Sequence, residues 1–199
     1  MITTKKLSIA IAMLVGLLTL ASLPIQAAED FPRSEIFGGY TYSSIDTTFR
    51  NTDRLNAHGW ALSLNGNVNK FFGVTFDMGG HYGTVKNTIL STNPDFRVFE
   101  FLFGPTVSAR ADKVTGFAHF LMGPSRMSVD FGRSTATQTK FSMGVGGGVD
   151  FNINKNFAIR GVEVDYLPIR LGKISDLSLA TTSAWSQNFR LKTGFVFKF

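Results

Sequence analysis

Cysteine is absent from the 199 residues, so neither a disulfide framework nor a thiolate metal site can exist. Long apolar runs are missing too. Beyond Asp30 no stretch approaches the ~20 consecutive apolar residues that a membrane-spanning helix needs, which excludes a helical membrane protein. Histidine is scarce: His58, His81 and His119 lie far apart, with no second His or carboxylate at metal-ligand spacing. Charge is sparse at 17%, with a net excess of +6. The basic residues stand singly rather than in runs, so no nucleic-acid partner is expected. Scattered positive charge suits anionic lipid headgroups or lipopolysaccharide phosphates instead.

What is abundant is Phe and Gly, 20 of each, against 4 Tyr and 2 Trp. That pairing fits strands with bulk on one face and close packing on the other. The N-terminus differs from the rest. Lys5 and Lys6 precede an apolar stretch from Leu7 to Leu20, too short to span, and Leu23-Pro24-Ile25-Gln26-Ala27-Ala28 supplies a break followed by small residues. This is the pattern of a cleaved secretory signal peptide, 1–27, with Ala28 as the alternative cut. An uncleaved anchor is the competing reading. The mature domain is then 28–199.

Within that domain no segment keeps helical spacing; period-two alternation recurs between polar clusters. Eight strands are predicted. The first, Glu35 to Ser43, sets Ile36, Gly38, Tyr40 and Tyr42 against Glu35, Phe37, Gly39 and Thr41. The second, Gly59 to Val68, sets Trp60, Leu62 and Leu64 against Ala61, Ser63 and Asn65. The third, Phe72 to Gly83, sets Phe72, Val74, Phe76, Met78 and Tyr82 against Gly73, Thr75, Asp77, Gly79 and His81. The fourth, Arg97 to Val107, sets Phe99, Phe101 and Phe103 against Val98, Glu100 and Leu102. The fifth, Val114 to Met127, has apolar residues on both parities and cannot be oriented. The sixth, Phe141 to Phe151, sets Phe141, Met143, Val145 and Val149 against Ser142, Gly144, Gly146, Gly148 and Asp150. The seventh, Phe157 to Tyr166, carries Arg160, Glu163 and Asp165 among apolar residues. The eighth, Gln187 to Phe199, sets Phe189, Leu191, Phe195 and Phe197 against Asn188, Arg190, Lys192, Gly194 and Lys198.

Each well-resolved strand thus has a large apolar face and a small or polar one. A soluble barrel would bury the apolar face inside. Here the polar face suits a narrow lumen, and aromatics gather near strand ends (Tyr40, Tyr42, Trp60, Phe71, Phe72, Tyr82, Tyr166, Trp185), as interfacial girdles do. Predicted connections alternate: short and polar at 69–70, 109–113 and 152–156, long and hydrophilic at 44–57, 84–96, 128–139 and 167–184. The expected fold is an all-β, closed, antiparallel up-and-down transmembrane barrel of eight strands. Closure is required because lipid cannot satisfy an open edge.

Parity directs a set of charges into that lumen: Asp77, Glu100, Asp150, Arg190 and Lys192, with Glu35 and Lys198, and with Arg160 and Asp165 as additions. In a narrow lumen such charges are expected to pair; a polar path that leaks ions is the alternative. Asp77 and His81 share a strand face, where lumen hydrogen bonding is preferred over a metal or catalytic role. No His-X-Ser unit is present, so a lipid-modifying enzyme trails as a reading. Gly144-Val145-Gly146-Gly147-Gly148 lacks the Lys-Ser or Lys-Thr end of a phosphate loop and alternates as strand. No catalytic residue, cofactor site or metal site is expected.

The chain ends Lys192-Thr193-Gly194-Phe195-Val196-Phe197-Lys198-Phe199. This resembles the β-signal of bacterial outer-membrane proteins at Lys192, Gly194, Phe197 and Phe199. The resemblance implies recognition by the barrel-assembly machinery. Glu35-Ile36-Phe37-Gly38-Gly39-Tyr40-Thr41-Tyr42, Val98 to Pro105, and Gly146 to Asp150 followed by Arg160 and Asp165-Tyr166 are similar to segments of small OmpA-type and OmpX-type barrels. These are grouped as the outer membrane protein beta-barrel domain family, and the resemblance covers residues 33–199. It implies a place in the cell outer membrane and no shared catalytic motif. No periplasmic peptidoglycan-binding domain is expected after the last strand. The leading functional expectation is a monomeric structural or surface-interaction protein contacting outer-membrane lipids and lipopolysaccharide. A narrow porin-like pore and an envelope lipid enzyme follow.

Overall fold

A computed structural model describes residues 31–45, 55–84, 95–130, 135–170 and 185–199. These form eight strands: β1 Ser34–Ile45, β2 Leu55–Asn67, β3 Phe72–Thr84, β4 Asp95–Arg110, β5 Val114–Asp130, β6 Thr135–Asn154, β7 Phe157–Arg170 and β8 Trp185–Lys198. Each pairs antiparallel with its chain neighbours, and β8 closes on β1 in a single barrel. At the seam the Arg33 amide donates to the Phe199 carbonyl at 2.7 Å, and the Phe199 amide donates to the Ser34 carbonyl at 2.9 Å. The predicted signal segment, 1–27, lies outside the described residues.

The alternation decides the two faces as expected. Phe76, Phe101, Phe103, Phe141, Val145, Phe195 and Phe197 point outward and are 39–57% exposed. A surface of that kind has no place in water. On β6 the outward apolar run from Phe141 to Phe151 covers ten residue steps. At about 3.4 Å per step and about 40° of tilt it rises some 26 Å, the height of an outer-membrane hydrocarbon band. Tyr40, Trp60 and Tyr82 stand exposed at one margin of the band, and Phe71, Phe72, Phe197 and Phe199 at the other. The Trp185 side chain is outside the described set.

Several boundaries differ from the sequence-based expectation. Residues 128–139 do not form a long loop: β5 and β6 continue to the Asp130↔Thr135 pair, leaving 131–134 between them. β7 likewise runs on to Arg170. The physical reason is that a strand rising above the lipid has water on its outer side, so its outward residues turn polar. Ladder pairing continues there while the apolar–polar alternation lapses, as in Thr135, Thr137 and Thr139.

The fifth strand takes one orientation. Thr115, His119, Leu121 and Ser125 are buried inward, and Ala118, Phe120, Pro124 and Arg126 are exposed. The lumen is filled in layers. Phe37, Ala61, Ala158 and Val196 pack together near the short-turn end, and Ile45, Ala57, Phe96 and Val98 near the other, with Leu102, Leu121 and Leu167 as a third cluster. Gly144 and Gly148 leave the space that the Leu167 side chain and the Phe117 ring fill.

Candidate functional site

Between these apolar layers lies a network of buried charge. β8 contributes Arg190 and Lys192, two residues apart and so on one face. The Arg190 guanidinium meets Asp77 of β3 and Glu100 of β4 through Nη1, each at 2.9 Å, and Asp165 of β7 through Nη2 at 2.7 Å. Lys192 Nζ lies 2.7 Å from Asp77 and 3.4 Å from Asp165, and closest of all to Glu163. Asp77 also accepts from the Ser63 hydroxyl at 2.7 Å. Two cations from one strand thereby hold carboxylates from three others.

A second knot is built on Arg160. It grips Asp150 through two nitrogens, at 2.7 and 3.0 Å, and Glu163 at 2.6 Å. Its guanidinium carbon lies over the Phe37 and Phe117 rings at 4.4 and 4.2 Å. These rings cover the faces of the guanidinium while carboxylates take its edge.

Arg160 and Glu163 have opposite parity, yet both are buried. The register shifts between them on the β8 side, and between Val149 and Asp150 on the β6 side. Gly161 and Val162 consequently both face outward. A β-bulge inserts the extra residue and re-aims everything after it. It brings Glu163 and Asp165 into the same lumen as Arg160. Room for Asp165 comes from β6, since a Cβ on Gly146 would sit 1.9 Å from Asp165 Oδ1.

Of the nine charges that the sequence directs into the lumen, Asp77, Glu100, Asp150, Arg160, Asp165, Arg190 and Lys192 belong to this network. Glu35 and Lys198 do not. Glu35 pairs with Arg110 at 3.0 Å, and Lys198 donates to Asn152 at 2.6 Å, both toward the short-turn end. Sequence reasoning overlooked Glu163, hidden by the bulge, and His119, hidden by the undecided fifth strand. His119 Nε2 lies 2.8 Å from Asp165. His81 faces the lumen on the same strand face as Asp77, as parity required, but its contacts are Ser43 at 3.0 Å and Glu100 at 3.2 Å.

Two arrangements invite a chemical reading. Ser43 Oγ is 3.0 Å from His81 Nδ1, and His81 Nε2 is 3.2 Å from Glu100, the order of a nucleophile, base and acid. Ser43 is buried, however, and Glu100 is bound to Arg190. The cavity beneath the network, about 20 Å³, is bounded by Glu35, Asn65, Thr75, Thr106, Thr115 and Glu163 among others, and by none of the three. It has room for one water-sized occupant. His119, Glu163 and Asp165 also bring ligand-type atoms within 4.8 Å of one another. The same carboxylates already hold Arg160, Arg190 and Lys192, whose charges occupy the ground a metal cation would need.

The C-terminal segment divides between the faces. Phe197 and Phe199 are outward, Lys192 is in the network, and Gly194 faces β1. A Cβ at Gly194 would lie 2.4 Å from the Gly38 carbonyl oxygen and 2.5 Å from Gly39 Cα. Only glycine permits this close approach at the closing seam.

Solved structures of similar shape include Neisserial surface protein A, with a TM-score of 0.63 and 16% identity over 86% of this chain and 100% of that one. Ail of Yersinia pestis has a TM-score of 0.56 and 20% identity, over 85% and 99%. OprG of Pseudomonas aeruginosa has 0.54 and 14%, over 85% and 96%. At these identities the likeness speaks for the fold. A comparison with curated protein sequences finds no match. The profile of one family matches residues 13–197, nearly the whole chain, and with the closed eight-stranded barrel it makes this chain a member of the outer membrane protein beta-barrel domain family.

Proposed function

We propose that this chain is a sealed barrel of the cell outer membrane that stabilises the envelope and acts through its outer surface rather than through its lumen. The carrying observation is the charge network. Arg190 and Lys192 are 0% exposed and tie β8 to β3, β4 and β7 across the middle of the barrel. Apolar clusters above and below them leave no wide path. A solute would have to break several buried ion pairs at once, and each broken pair leaves a costly uncompensated charge. This supports a closed lumen over the porin-like alternative. The burial of Ser43 and the small cavity favour a non-enzymatic role.

Partners on this reading are outer-leaflet lipids and lipopolysaccharide, met by a monomer. The segment from Lys192 to Phe199 is the part the assembly machinery reads, and residues 1–27 are the export signal. The test is a deletion strain complemented with the parent chain or with chains shortened between the strands at 46–54 and 171–184. Loss of the protein should weaken the barrier to detergent and large antibiotics, and the parent should restore it. Unchanged barrier properties with slowed uptake of a small solute would favour the pore instead.

A further inference from the structure

On the outward face, at the aromatic margin of the lipid band, two arginines stand on neighbouring strands. β4 runs outward-facing Phe103, Phe101, Phe99, Arg97, Asp95; β5 runs Phe120, Met122, Pro124, Arg126, Ser128, Asp130. Arg97 is opposite Ser128 and Arg126 is opposite Phe99, so the arginines are diagonal neighbours, about 7–8 Å apart at the backbone. Both are exposed, and neither has an ion pair or side-chain hydrogen bond among the described residues. Tyr82 is opposite Arg97 on the other side and meets Phe99 edge-on at 6.1 Å. Thr139 is opposite Arg126, and Ser128 and Thr137 share a hydrogen bond at 3.1 Å.

We propose that Arg97 and Arg126 form a binding site for the phosphorylated sugar headgroup of an outer-leaflet glycolipid. Resting on the reading of this end of the barrel as the outer one, the site follows from the order of chemistries along the membrane normal. Apolar side chains come first, matching acyl chains, and Tyr82 and Phe99 mark their upper limit. The arginines stand on these same two rows, Arg97 level with Tyr82 and Arg126 level with Phe99, at the boundary where a headgroup phosphate meets the acyl region, and two planar forks on long side chains can close on one phosphate there. Thr137, Thr139 and Ser128 put hydroxyls beside them, suited to sugar hydroxyls. Asp95 and Asp130, opposite one another, form the row above. An anion approaching from bulk water meets these carboxylates first. A phosphate carried by a lipid reaches the arginines from below. That ordering selects a lipid over a soluble anion.

The test uses the full mature barrel refolded in detergent micelles, its folding verified by heat-modifiable gel mobility. Retention of bis-phosphorylated lipid A is read by native mass spectrometry. Parent protein should retain one lipid A. Arg97→Gln/Arg126→Gln should weaken retention at least ten-fold, Arg97→Lys/Arg126→Lys less, and Lys155→Gln in a short turn not at all. Dephosphorylated lipid A should bind the parent as poorly as lipid A binds the double Gln variant. Equal retention by parent and double Gln variant, or indifference to the lipid phosphates, would overturn the site. Displacement of lipid A by millimolar inorganic phosphate would also overturn it, because the anion would then be a soluble one. If lipid A binding is lost in the double variant while the envelope barrier is unaltered, the site stands and the envelope role falls. If binding persists while the barrier depends on the protein, only the site falls.

Discussion

Lys192 of β8 donates to Asp77 of β3 at 2.7 Å, a buried contact between residues 115 apart in the chain. Neither side chain has water to fall back on, and their strands are not neighbours in the sheet. The contact therefore reports on the whole cross-section of the barrel. Removing one partner leaves a buried charge uncompensated, at a cost of about 3–5 kcal/mol. Asp77→Asn and Lys192→Met should each cost that much in refolding titrations, and the double variant clearly less than the sum. Strict additivity would mean that the two side chains do not interact in the folded barrel.

The outward face should reject charge where it meets lipid and accept it above. Leu64 and Phe76 are opposite one another on β2 and β3 within the apolar band. Arg at either should cost about 2–4 kcal/mol on folding into lipid vesicles. Thr137→Arg, on the part of β6 that rises past the band, should change little. Equal tolerance at all three would mean that the faces are inverted.

Much of this was legible in the sequence, and the failures have identifiable causes. Period-two alternation placed Asp77, Glu100, Asp150, Arg190 and Lys192 on one side because a narrow lumen and a lipid exterior make opposite demands on neighbouring residues. The same rule could not handle Glu163. A bulge costs one unit of parity, and nothing local in Arg160-Gly161-Val162-Glu163 announces it beyond the glycine. The fifth strand was undecidable because Phe117 and Leu121 face the lumen while Phe120 and Met122 face lipid, so both parities are apolar. Phe117 is inside to cover Arg160, a requirement set by another strand. Strand ends above the membrane were lost because water on the outer face replaces the large apolar residues that mark a lipid-facing strand, as at Ser128, Asp130, Thr137 and Thr139.

Gly146 should be intolerant of even one carbon. An alanine Cβ there would lie 1.9 Å from Asp165 Oδ1, so the carboxylate must leave either Arg190 or His119. Gly146→Ala should destabilise the barrel by roughly the amount of breaking a buried pair, about 3 kcal/mol or more. Gly66→Ala, where a Cβ meets nothing within 4 Å, is the control. Equal stability of the two variants, measured by urea unfolding in micelles, would show that Asp165 is free to move.

Phe199 should matter for assembly more than for the finished fold. Its backbone closes the β1–β8 seam, but its ring is 48% exposed, worth only about 1–3 kcal/mol of transfer energy. Deleting Phe199 should lower the yield in the outer membrane of cells and still permit refolding into detergent. An unchanged yield in cells would show that the terminal aromatic is incidental to assembly.

The sealed lumen is tested most directly by single-channel recording of the refolded protein in a planar bilayer. The parent should show negligible conductance, and Arg190→Ala, which removes one cationic partner from each of Asp77, Glu100 and Asp165, should show larger and noisier current as water follows the under-compensated carboxylates. Steady, large openings of the parent protein, unchanged by Arg190→Ala, would contradict the closed lumen.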